Sequence, residues 1–248
     1  MEQIIAYKAY VVASTLILLF GLERLFPAAK AKWDFARLAR NGSIAFINFL
    51  LGPFIVLPLS AYVALHGIGL RPSWWNMALD LLVLDVWIYA WHRLNHVLPF
   101  LWRFHEVHHL DEALDTTTGL RFHFGEVVLS AMARAVVIWF MTIPLVTVAV
   151  FETLVVLAAL LQHSNLKLPT KFEFWLSKLI VTPWLHWVHH HALREDTDSN
   201  YATILSVWDR LFNSRSRNVR RGDMVMGVEG KKDQELGKLI MAPLRPRS

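Results

Sequence analysis

Ten of the twelve histidines fall between His92 and His190. They form HRLNH (His92, His96), HEVHH (His105, His108, His109), the single His123 and His163, and HWVHH (His186, His189, His190). Spacings of i,i+4 and i,i+3,i+4 put the members of each cluster on one helix face. Each cluster can therefore aim two or three imidazoles at a common point. Imidazole is the commonest protein metal ligand and suits Zn, Cu, Fe and Ni. A catalytic zinc takes three protein ligands, so this many histidines exceed one site and fit two ions. His66 stands alone and His191 breaks the register of its cluster; both read as ordinary hydrogen-bonded or surface histidines. The chain has no cysteine, which excludes thiolate-ligated haem, iron–sulfur clusters and Cys-bound zinc.

Two other chemistries fit parts of the pattern. HEVHH contains H-E-x-x-H, the signature of zinc proteases, with Glu106 as general base. A zinc hydrolase of that kind leaves His92, His96, His108, His186, His189 and His190 mostly unexplained. A membrane metal transporter or sensor would string its ligands along a path through the bilayer. Here the apolar stretches carry little more than Asp80, Asp85, Arg134 and Glu152.

The elements that position these residues are apolar. Of 248 residues, 55% are hydrophobic and 18% charged, where a soluble domain carries roughly 25% charged. This excludes a disordered chain and argues against an ordinary soluble globule. A bilayer-spanning helix needs ~20 apolar residues. The first such stretch runs from about Ile4 to Phe26, with Lys8 and Glu23/Arg24 at its ends, where long side chains snorkel. The second, Asn41–Leu70, contains Pro53 and Pro58 and predicts a kink, a tilt or two half-helices. The third is Trp74–Trp91. The block 127–162, with Pro144 at its middle, divides into two spans joined by a tight turn, across which Arg134 and Glu152 should pair. The expected fold is all-α: a polytopic membrane protein of about four to five transmembrane helices, capped by a helical His-rich metal domain on the cytoplasmic side. Its divisions are the N-terminal transmembrane helices 1–91, a His-box segment 92–126, the transmembrane hairpin 127–162, and a His-box segment with a basic tail, 163–248.

Lys and Arg in loops set orientation. Lys30, Lys32, Arg37 and Arg40 make the first loop cytoplasmic, while the loop before span three carries only Arg71. Threading onward puts every histidine cluster on the cytoplasmic side, near the membrane surface. The tail 167–248 carries the whole formal excess of +5, which suits anionic headgroups or an acidic electron carrier. No binding motif accompanies these charges, so nucleic acid is not an expected partner. A bacterial inner membrane is favoured over the endoplasmic reticulum, and the oligomeric state is left open.

The order HRLNH, HEVHH, QHSN and HWVHH, closing with NYATILSVWDRLF, resembles the fatty acid hydroxylase superfamily, also called the sterol desaturase family, from about Asp85 to Phe212. The resemblance implies an integral-membrane, non-haem di-iron oxygenase that hydroxylates or desaturates a lipid or sterol. It implies two iron ions, O2 as co-substrate, and electrons from a separate carrier and reductase. Zinc remains possible in purified material, since imidazole accepts either metal. By position, His92, His96, His105, His108, His109, His186, His189 and His190 match the family's three boxes, and His163 its single histidine before the last segment. His123 matches a histidine that many members place before Pro; here Phe124 follows. Ala202 stands for the usual Gly after Asn-Tyr, and Asn213-Ser214 for Gly-Thr. Outer groups that orient the imidazoles are expected at Asp85, two turns before His92, and at Tyr89 on the same face. Asn200, in the family-like tail, is a further candidate.

Overall fold

The computed structural model describes residues 2–30, 34–70, 72 and 75–245. The residues invoked above at 32, 71, 74 and the chain ends lie outside these. Among the described residues the protein is helical, with only isolated bridges and no strand. Its helices are α1 (Glu2–Leu25), α2 (Phe35–Leu65), α3 (Met77–Val97), α4 (Pro99–His109), α5 (Phe124–Met141), α6 (Leu145–His163), α7 (Thr170–Leu176), α8 (Pro183–His189), α9 (Arg194–Thr197), α10 (Val207–Leu211) and α11 (Leu236–Met241). A 3-10 turn, Thr116–Leu120, sits between α4 and α5.

Local signals explain these boundaries. Asp34 caps α2 by accepting the Arg37 N–H, and Asn76 caps α3 by accepting from Ala78 and Leu79. Pro99 and Pro183 open α4 and α8, where a missing N–H costs nothing. Thr142, left-handed at φ 53°, ends α5, and Pro144 starts α6. Two helices therefore meet at a tight turn before Leu145, and Arg134 pairs with Glu152 at 2.7 Å, joined by Lys8 at 2.8 Å. Pro53 and Pro58 do not divide α2, which runs unbroken through 31 residues.

Among the described residues three helices, α2, α5 and α6, are long and apolar enough to cross a membrane. Their shared core holds Val63, Leu84, Ala135, Ile138, Val148 and Phe151. At one end of the bundle a buried polar web ties α1 and α2 to the segment after α4. Arg37 donates to Asp111 at 2.5 and 3.0 Å and to Asp115 at 2.7 Å, and Asn41 donates to Asp111 at 3.0 Å. Glu23 does not snorkel: it is fully buried and accepts from the Thr116 and Asn165 backbones. Arg121 donates to the Val107 carbonyl at 2.9 Å and pairs with Asp233. The histidines gather at this end.

Candidate metal centre

The end of α3 brings His92 and His96, α4 brings His105, His108 and His109, the last residue of α6 is His163, and α8 with its cap brings His186, His189 and His190. These side chains form two groups. His92, His96, His105, His109 and His189 make one; His108, His163, His186 and His190 make the other. Within each group the ligand atoms lie within 4.8 Å of one another, and either group could hold a metal ion. All but His92 are buried. The i,i+4 pairs His92/His96 and His105/His109 share the first group. His108, three residues after His105, turns to the second.

The donor geometry tests whether ions fit. His92 Nδ1 donates to the Tyr201 carbonyl at 2.7 Å, and His105 Nδ1 to Glu126 at 2.7 Å. His163 Nδ1 donates to the Ala159 carbonyl at 2.6 Å, His108 Nδ1 to the Arg121 carbonyl at 3.2 Å, and His189 Nδ1 to the Ser199 carbonyl at 2.6 Å. A neutral ring that donates through Nδ1 carries only a lone pair at Nε2. Those Nε2 atoms face one another: His92 and His105 at 3.1 Å, His163 and His108 at 2.9 Å. His163 Nε2 also lies 2.9 Å from His186 Nε2 and 3.1 Å from His190 Nε2. Nε2 of His96 and of His189 are buried with no hydrogen-bond partner. Converging lone pairs repel unless a cation lies between them. Protonation is opposed, because burial and the neighbouring imidazoles push His108, His109, His186 and His190 well below their ordinary range, and burial pushes His189 down to about 3. Two all-imidazole donor sets fit two borderline divalent ions such as iron or zinc.

His123 joins neither group. It caps α5: its Nδ1 accepts the Gly125 N–H at 3.0 Å and its Nε2 donates to the Ile240 carbonyl at 3.0 Å. Nor do the three expected outer partners touch an imidazole through a hydrogen bond. Asp85 accepts from Trp208 Nε1 at 2.7 Å and from Leu205 N at 3.2 Å. The Tyr89 hydroxyl meets Ser214 at 2.8 Å, and Asn200 donates to the Leu185 carbonyl at 3.0 Å. The partners observed are backbone carbonyls and Glu126, which helical spacing does not reveal. Glu126 is the lone acid in the first turn of α5, and that is its one sequence signal. Glu106 turns away from the histidines and accepts from Trp102 at 3.1 Å and Lys231 at 2.5 Å. His191 donates to Asp196 at 2.7 Å, and His66 stacks on Tyr62.

Helices able to cross a membrane, with two paired histidine groups gathered at one end of their bundle, define a histidine-rich membrane protein with a candidate two-metal centre. The fatty acid hydroxylase family model matches residues 77–214, which include every member of both groups, and the chain belongs to that family. It is 29% identical over 164 residues to an ornithine lipid hydroxylase of Rhizobium tropici, covering 64% of this chain and 49% of that protein. An alkylglycerol monooxygenase of Danio rerio is 31% identical over 172 residues, 63% of this chain and 35% of its own length. A cholesterol 25-hydroxylase of Rattus norvegicus is 26% identical over 141 residues, 56% of this chain and 46% of its own. The matched stretch thus spans between about a third and a half of these relatives. No solved structure matches the chain.

Proposed function

We propose that this protein is an integral-membrane di-iron oxygenase that hydroxylates a C–H bond of a lipid or sterol, using O2 and electrons from a separate carrier and reductase. The observation that carries the reading is the convergence of Nε2 lone pairs in two adjacent groups. Hydroxylation is preferred to desaturation because the relatives are named hydroxylases and a monooxygenase. Two iron ions would supply O2 activation, an oxidising power that side chains lack. His92, His96, His105, His109 and His189 would hold one ion, and His108, His163, His186 and His190 the other. Glu126 and the carbonyls of Arg121, Ala159, Ser199 and Tyr201 fix the tautomer and direction of His105, His108, His163, His189 and His92. His123 supports the α5 end of the site from outside.

With α1 and α3 also crossing the bilayer, the chain has about five spans and one catalytic unit over about 85–212. The charge pattern of its loops puts the centre on the cytoplasmic face. A lipid rising between spans would then meet the site from one side and a water-soluble electron carrier from the other.

Protein purified anaerobically in detergent should hold about two irons per chain and show an exchange-coupled pair by Mössbauer spectroscopy after oxidation. A single zinc, no iron, and turnover without O2 or reductant would overturn the reading in favour of hydrolysis.

A further inference from the structure

Two short helices beyond the spans are amphipathic in the reverse of the usual sense. α7 buries Glu173, which accepts the Trp184 N–H at 2.9 Å, and the loop after it buries Ser177. The same stretch exposes Phe172, Trp175 (64% exposed) and Leu179 (67%). α10 buries Asp209, which accepts the N–H groups of Tyr201 and Ala202, and exposes Val207 and Leu211 (65%). An element facing water turns its polar residues outward. These two turn their acids in and leave aromatic and aliphatic side chains out, beside exposed Lys171 and Arg210. They are neighbours: Arg210 donates to the Lys178 carbonyl at 2.6 Å, and the Ser206 N–H reaches the Leu179 carbonyl at 3.1 Å. The face they form therefore continues from one to the other.

Its position along the bundle says what covers it. Trp208 and Leu205 bond to Asp85, seven residues before His92 on α3, or about 10 Å back along the helix toward the middle of the bundle. Ile204 packs against the core that α5 and α6 share with Leu84. The apolar face is thus continuous with helices able to span the bilayer. Cations attend it: the Lys178 ammonium lies 3.8 Å from the Trp175 ring centre, and Lys171 is exposed beside Phe172. Aromatic rings beside lysines are what the headgroup boundary of a membrane selects. By contrast, the exposed residues of 194–198 and 215–223 are mostly charged or polar, among them Glu195, Asp198, Arg215 and Arg217.

We infer that α7 and α10 form a monotopic platform seated in the lipid leaflet next to the histidine end of the bundle. Trp175, Leu179 and Leu211 dip among acyl chains, and Lys171 and Lys178 meet anionic headgroups. This stretch is then not part of a water-exposed tail. The inference stands on packing and exposure and does not depend on which metal the histidines hold.

The chain has no cysteine, so single-site labelling needs no background removal. Nitroxide would be attached to Trp175→Cys, Leu179→Cys and Leu211→Cys in the full chain, reconstituted in phosphatidylethanolamine–phosphatidylglycerol vesicles. Glu195→Cys and Arg217→Cys serve as references. Collision rates with O2, which partitions into lipid, and with a water-soluble nickel chelate are then compared. The expected result is an O2-to-nickel collision ratio several-fold above the references at all three positions. Nickel collisions equal to the references would overturn the inference. So would immobile, dipolar-broadened spectra shielded from both reagents, which would mean that a second copy of the chain covers the face. The positions lie in α7, the loop after it and α10, so a variant that fails to fold leaves the others readable.

Discussion

A buried imidazole is useful to a metal only if something fixes which nitrogen bears the proton. At His105 that partner is Glu126, among the described residues the one carboxylate hydrogen-bonded to a member of either group, with Asp198 3.4 Å from His96 Nδ1. Its charge favours an electron-rich ring. Glu126→Gln keeps the shape but loses the charge and can present an N–H where an acceptor is needed. The expected outcome is a metal affinity lower by about 10- to 100-fold, read by titrating chelator against metal-loaded protein, with the thermal midpoint less affected than metal retention. His163 and His123 make a sharper pair. His163 Nε2 touches three other ring nitrogens, whereas both nitrogens of His123 are committed to backbone. His163→Ala should therefore lose metal from its group by elemental analysis, while His123→Ala should keep both ions and lose only some stability, through the cap on α5. Loss of metal in His123→Ala would restore it as a ligand. The histidine clusters were legible because i,i+3 and i,i+4 spacing is itself geometry. The outer partners were not. Asp85 does lie two turns from His92, but spacing gives a face and not a partner, and the chain returning at 205–208 takes that carboxylate.

Elements, rather than residues, decide whether the two groups form at all, and one close joint is the 3-10 turn against α6. A Cβ on Gly119 would sit 2.6 Å from the Ala159 carbonyl oxygen and 2.8 Å from its carbon. That oxygen also accepts the His163 Nδ1 proton, and the turn delivers the Arg121 carbonyl to His108. Backbone cannot yield as a side-chain tip does, so Gly119→Ala must push the turn off α6. Overpacking of this kind costs about 1–3 kcal/mol. The expected variant melts earlier and loses metal from the His108/His163 group first, which calorimetry and metal analysis together would show; a variant with wild-type metal content would mean that the turn does not position these rings. The hairpin at Pro144 was readable in the sequence because Pro interrupts an otherwise uniform apolar block. Of the kink, tilt or two half-helices expected from Pro53 and Pro58, the division does not occur, since α2 runs on through both. The inward-facing polar groups of α7 and α10 were invisible for a different reason: elements of seven and five residues carry too little pattern to show a face.

At the scale of the whole molecule the histidines make folding a proton-linked event. Burial holds His108, His109, His186 and His190 well below their ordinary range, and holds His189 at about 3. These rings are neutral when folded and free to take protons near pH 6.5 when unfolded. The unfolded chain therefore binds more protons below pH 6.5, and stability must fall as pH falls through that value. The slope grows with the number of groups that take up a proton only on unfolding, and several do so here over the same range. Carboxyls act elsewhere or in the opposite sense. Asp111 is held below its ordinary value by Arg37 and Arg121 against the cost of burial, and its stabilisation is lost only below pH 3.8. Asp209 is pushed by burial up to about 6, so it favours the folded state increasingly as pH falls from 6 to 3.8. Burial raises Glu173 in the same sense, but such carboxyls are outnumbered by the buried imidazoles. Bound ions add to the same trend, because protons compete with metal for each lone pair. In detergent, the thermal midpoint of the metal-free protein should drop steeply between pH 6.5 and 5. The metal-loaded protein should release its ions over the same range, with metal loss preceding unfolding. A midpoint flat across that interval in the metal-free protein would show that the rings are already protonated, and the convergence of lone pairs on which the proposed centre rests would be lost.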